Sequence, residues 1–89
     1  MAALMSALSQ QMIVKLPALG REAERYWREW CKPSYLSLAK KGPQEVFRFF
    51  EELGMKALNQ VADMMQDGMA EDGAMEIVRE YLTPSPEND

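Results

Sequence analysis

The chain contains no histidine and a single cysteine, Cys31. Without histidine there is no Ser-His-Asp triad, no Cys-His dyad and no side chain whose ordinary pKa lies near neutrality. One cysteine and no histidine also exclude a zinc site of usual composition and an intramolecular disulfide. No catalytic constellation, cofactor or metal site is expected. No alternating apolar run reads as a strand, and no window of about 18 apolar residues could span a bilayer. Met1-Ala2-Ala3-Leu4 carries no basic group and Ser9-Gln10-Gln11 interrupts the apolar stretch, so a secretory signal is not expected. A lone cysteine suits a reducing compartment, and the expected location is the cytoplasm.

What is present is one domain's worth of chain. Its 89 residues are 47% hydrophobic and 27% charged, a globular composition that argues against disorder. A chain this short buries roughly 60–65% of the surface its unfolded form exposes, so its core is thin. Small domains commonly supplement such a core with a disulfide, a metal or a partner subunit. The first is excluded and the second is not expected, so a partner chain is expected, either a second copy or another protein.

The net charge of −4 opposes nonspecific binding of nucleic acid. It is the sum of two unlike halves. Residues 1–44 hold seven basic and three acidic groups, net +4; residues 45–89 hold three basic and eleven acidic groups, net −8. This polarity favours association between chains as well as within one, and an antiparallel homodimer would satisfy it.

Apolar spacing predicts an all-α fold, a small bundle of four to five short helices at about 2–15, 18–31, 35–41, 44–66 and 73–82, in a single domain 1–82 with a frayed tail 83–89. Leu4, Met5, Leu8, Met12 and Leu16 form one face of the first helix. In the second, Leu19, Ala23, Tyr26, Trp27 and Trp30 make an apolar sector opposite Arg21, Arg25, Arg28 and Lys32. Pro33 is expected to stop that helix, with Ser34 capping the third. Gly42 suits the left-handed residue after a helix, and Pro43 the first turn of the next. The fourth helix carries Val46, Phe47, Phe50, Leu53, Ala57, Leu58, Val61, Met64 and Met65, and the continuous apolar face favours one helix through Gly54. Asp72 is the expected N-cap of the last helix, buried through Ala74, Ile77, Val78, Tyr81 and Leu82.

Among candidate sites, the basic stripe Arg21, Arg25, Arg28 and Lys32 reads as a solvated face or as a surface for an anionic partner. Phe49 lies off the sector of Val46, Phe50, Leu53 and Ala57, which suits burial against a partner. Met69 and Met75, near a glycine-containing turn, suit an adaptable binding surface, whereas Met64 and Met65 read as core. Cys31 reads as a small buried hydrophobe. Asp63, Asp67, Glu71 and Asp72 lack the spacing of a calcium loop. Residues 34–53 have the outline of a helix-turn-helix, but Arg48 stands alone among aromatics and carboxylates on the second helix.

The function expected is a non-catalytic protein–protein interaction module, an adaptor, assembly factor, chaperone or inhibitor that works by occupying a surface and self-associates. Arg21, Arg25, Arg28, Lys32, Phe49, Met69 and Met75 are the expected partner-binding residues. The alternatives are a nucleic-acid-associated regulator that meets phosphate through the basic stripe, and a peripheral lipid-surface protein using the Trp-containing basic helix.

Overall fold

The computed structural model describes residues 4–86. They form five helices, α1 (Gln10–Lys15), α2 (Ala18–Trp30), α3 (Lys32–Ala39), α4 (Pro43–Gln66) and α5 (Glu71–Leu82), and no strand among the described residues. The all-α expectation holds, and the fourth helix keeps its place, while the third runs over Lys32–Ala39 rather than 35–41. Three boundaries differ from the periodicity. Residues 4–9 are not helical, and α1 begins only at Gln10, where the Ser9 hydroxyl caps it by accepting from the Met12 N–H. Residues 2 and 3 lie outside the described residues. The break after α2 falls at Cys31 rather than Pro33. Pro33 occupies the first turn of α3, where its missing N–H costs no helical hydrogen bond, so Ser34 is inside the helix and caps nothing. The last helix begins at Glu71 with Ala70 as N-cap; Asp72 sits within its first turn, where both acids still face the positive end of the helix dipole.

α4 is the axis of the molecule. It packs against α2 and α5, and α3 packs on both α2 and α4. Gly54 does not break it. The reason lies in the crossing with α2: a Cβ on Gly54 would stand 2.6 Å from the Gly20 backbone nitrogen and 2.9 Å from its Cα, and one on Gly20 would stand 2.5 Å from the Phe50 carbonyl oxygen. The two helices touch backbone to backbone, and only glycine fits at either position. Gly42 and Gly68 close the turns on either side of α4 with φ of +102° and +98°, values that other residues adopt only with strain.

Phe50 fills the centre. Its ring meets Trp27 edge-on at 5.6 Å, stacks with Tyr35 at 6.2 Å and meets Phe49 edge-on at 5.0 Å. Leu19, Ala23, Val46, Ala57, Val61, Ala74, Val78 and Leu82 complete the core around it. Ile77 and Trp30 do not join it. Ile77 lies at the edge of the α5 stripe made by Ala74, Val78 and Leu82, and Trp30 is the last residue of α2; both are exposed. At the other end of α5, residues 83–86 lie along α2: Tyr26 donates its hydroxyl to the Pro84 carbonyl at 2.8 Å, and Trp27 donates its indole N–H to the Leu82 carbonyl at 3.2 Å. Residues 87–89 of the segment expected to fray lie outside the described residues.

Among the described residues, one charged side chain is fully inside. Glu24, on α2, is 1% exposed. Its carboxylate accepts from the Tyr35 hydroxyl at 2.6 Å, the Ser6 hydroxyl at 2.7 Å and Arg28 Nε at 3.0 Å. Tyr35 in turn accepts from the Ala7 N–H at 2.9 Å, and Arg28 and Leu4 exchange two hydrogen bonds through main-chain and guanidinium groups. This network fastens residues 4–8 across α2 and α3 without a helix.

Burial, then the hydrogen bond to Glu24, raises the Tyr35 phenol above its ordinary 10.0. Burial is also the main cause that raises Tyr26 and Tyr81. The folded state therefore holds these protons more tightly than the unfolded chain. Their contribution to stability is complete below pH 10.0 and is lost as pH rises through the folded values. The urea midpoint should fall progressively above about pH 10, and a Tyr35→Phe chain should lose stability less steeply over the same range. Equal slopes for the two chains would show that this phenol does not take part.

Candidate interaction surface

α4 carries two apolar stripes. Val46, Phe50, Gly54, Ala57 and Val61 are buried against the rest of the protein. At 3.6 residues per turn they occupy a sector of roughly 80°. Met55, Leu58, Ala62 and Met65 occupy a second sector of similar width, turned roughly 100° from the first, and all four are exposed. Leu58 is 51% exposed, Met55 45% and Met65 44%. The core is complete without them, so they lie on the outer side of the longest helix as a continuous apolar strip. Met69 follows in the turn after α4, also exposed, with its backbone N–H donating to the Met64 carbonyl at 3.0 Å.

The expected partner-binding residues are not brought together. Lys32 belongs to α3, beyond the break at Cys31, so it does not continue the arginine row of α2. Arg28 is committed to Glu24 and to the Leu4 carbonyl. Arg21 and Arg25 are exposed on α2, and the neighbouring Glu22 pairs with Arg79 at 3.1 Å. The row of four expected on one helix is thus two exposed arginines beside an acid. Phe49 is 36% exposed and rests edge-on against Trp27 at 5.3 Å. Met75 is half-buried and packs on the core, while Met69 stays outside. Met64 packs on the core and Met65 does not, which corrects the pairing of the two as core residues. Cys31 is buried.

Other concavities are small. A cleft of about 330 Å³ lies between Trp27, Cys31, Ser34 and Tyr81, with Pro84 and Ser85 along its edge. On the second helix of the helix-turn-helix outline, Arg48 pairs with Glu45 at 3.5 Å. Among the described residues no three Cys, Asp or Glu side chains are grouped so as to hold a metal ion, and no helix is long and apolar enough to cross a membrane.

Comparison with family models, with curated proteins and with solved structures finds no match to this chain. The surface has to be read from its own chemistry. The outer strip of α4 is what the sequence reasoning missed. Leu58 and Met65 keep helical spacing with the core residues, so one wide apolar face and two adjacent stripes look alike in the sequence. The available signal was the subset 55, 58, 62 and 65, spaced 3, 4 and 3, a second helical row turned away from the row 46, 50, 54, 57 and 61.

Proposed function

We propose that this protein is a non-catalytic protein-binding domain, acting in the cytoplasm, that works by covering part of another chain's surface through the outer face of α4. The observation that carries this reading is the strip Met55, Leu58, Ala62 and Met65, exposed over a core that is already closed. Methionines suit such a surface because an unbranched, polarizable side chain adapts its shape to a partner. The split of the basic row is what ranks nucleic-acid binding lower, since phosphate recognition needs several cations acting on one track.

Photo-crosslinking tests the proposal. A benzophenone amino acid placed at Leu58 should form protein adducts in the cells that make the protein. The same group at Gln60, exposed on another side of α4, should form few. Absence of any protein adduct from position 58 would overturn the reading.

A further inference from the structure

We propose that the cleft beside α2 is a recognition site for an extended, proline-bearing segment of another protein, and that the chain's own residues 83–86 hold it partly filled. This surface is separate from the α4 strip and stands or falls without it.

The local sequence comes first. Residues 83–86 read Thr-Pro-Ser-Pro. Each proline fixes its own φ at about −65°, supplies no N–H and keeps the residue before it out of the α region. Alternating prolines therefore favour an extended segment near polyproline II geometry, with no internal hydrogen bonds and its carbonyls free. α5 accordingly stops at Leu82, and residues 84–86 carry no regular structure.

The receiving side is α2 and its C-cap. Tyr26 donates its hydroxyl to the Pro84 carbonyl at 2.8 Å, Trp27 its indole N–H to the Leu82 carbonyl at 3.2 Å, and the Cys31 thiol faces the Ser85 carbonyl oxygen at 4.0 Å. All three address main-chain oxygens. The Thr83 hydroxyl turns back to the Arg79 carbonyl instead. Nothing in these three contacts is particular to the tail's own side chains, and another segment with free carbonyls at this spacing makes the same ones. Tyrosine and tryptophan each present a flat apolar body with a donor at its edge. Grooves lined by such aromatics are what a preformed polyproline II segment docks against. Pro84 is half-buried and lines the cleft together with Trp27 and Tyr81.

The chain's own segment fills the site only in part. Ser85 and Pro86 are exposed, and about 330 Å³ stays open between Trp27, Cys31, Ser34, Tyr81 and the tail. A foreign segment has this room to use. The tail of a second copy is not the occupant. Leu82, fully buried, fixes the start of each tail beside its own groove, and a tethered segment outcompetes the same segment from another molecule below about 1 mM.

Proton–nitrogen correlation spectra of the full chain test this. The chain has two tryptophans, so the Trp27 indole N–H is one of two side-chain signals of its kind. The probe is a capped synthetic peptide of residues 82–87, Leu-Thr-Pro-Ser-Pro-Glu, titrated to about 5 mM, a range suited to so small a contact. It should move the Trp27 signal. Pro84→Gln replaces the half-buried ring with a neutral polar side chain and loosens the tethered competitor. That variant should bind the peptide about fivefold more tightly than the parent, with its helical circular dichroism unchanged. Cys31, 2% exposed in the parent, should react faster with iodoacetamide in the variant, and the peptide should slow it again. Adding Tyr26→Phe keeps the ring but deletes one donor, and should weaken the peptide about fivefold, one hydrogen bond's worth. The same peptide with both prolines replaced by alanine should bind less tightly than the original. A Trp27 signal unmoved by the proline peptide in both chains overturns the proposal. So does an alanine peptide that binds equally well, or binding indifferent to Tyr26→Phe. A Cys31 thiol as slow in Pro84→Gln as in the parent overturns the assignment of residues 83–86 as the segment that closes the cleft.

Discussion

Gly54→Ala should lower stability by about 3 kcal/mol, the upper part of the usual overpacking range, although alanine is the better helix former by about 1 kcal/mol. The added methyl would meet the Gly20 backbone nitrogen at 2.6 Å, its Cα at 2.9 Å and Pro17 Cβ at 3.3 Å. The first two of these are main-chain atoms in the middle of a helix and cannot swing aside as a side-chain tip can. α2 and α4 must move apart, and Phe50 and Ala57, which sit on either side of the crossing, lose contact together. For a domain of this size that loss corresponds to a fall in Tm of roughly 10–20 °C. Gly73→Ala is the matched control. Gly73 is also within a helix, but a methyl there would meet only the Met69 side chain, at 3.6–3.8 Å. That variant should gain about 0.5–1 kcal/mol. The same chemical change thus has opposite signs at two positions, and thermal melts of the two variants decide it. A Gly54→Ala chain as stable as the parent would mean that the helices part without cost.

Glu24→Ala should cost about 3 kcal/mol, near the lower end for breaking a buried pair. The carboxylate is buried and takes three hydrogen bonds, from Tyr35, Ser6 and Arg28. Removing it leaves the Tyr35 hydroxyl without its acceptor and the Arg28 charge without its partner. The cost stays at the lower end because the Arg28 side chain keeps 21% of its surface in water. The damage should be local as well as global. Residues 4–8 are held by Glu24, Tyr35 and Arg28, so the amide protons of Leu4, Ala7 and Leu8 should exchange faster in this variant than those of the α4 core. Tyr35→Phe removes one arm of the network and leaves the Ala7 N–H unpaired; it should cost about 1–2 kcal/mol. Hydrogen exchange in which residues 4–8 stay as protected as before would refute the role assigned to Glu24.

Neither result could be foretold from periodicity. Glu24 lies beside Arg21, Arg25 and Arg28 on the polar side of α2, and in a linear reading it is one more solvated acid. It is buried because residues 4–8, read as part of a helix, instead cross that side of α2 as a non-helical segment, with Tyr35 of α3 also donating to the carboxylate. The same covering segment takes Arg28 out of the basic row. Gly54 is comparable: its position in a long apolar pattern reads as a weakness, and its purpose is visible only when Gly20, 34 positions earlier, arrives opposite it.

Other features were legible because their causes are local. The 3.6-residue recurrence of apolar residues, with Gly42, Pro43 and Gly68 between segments, is enough to give an all-α bundle of four to five helices, of which the structure has five among the described residues. Proline and glycine act through their own backbone geometry, and a helix's apolar face is a property of its own residues. The absence of histidine is likewise a fact of composition. What the tertiary structure alone decided is which apolar residues the core uses. α4 has more apolar surface than its neighbours cover, and the choice between Val61 inside and Leu58 outside depends on where α2, α3 and α5 pack along it. That placement is set by contacts between residues distant in sequence, so no local pattern contains it, and the outer strip of α4 is what it leaves uncovered.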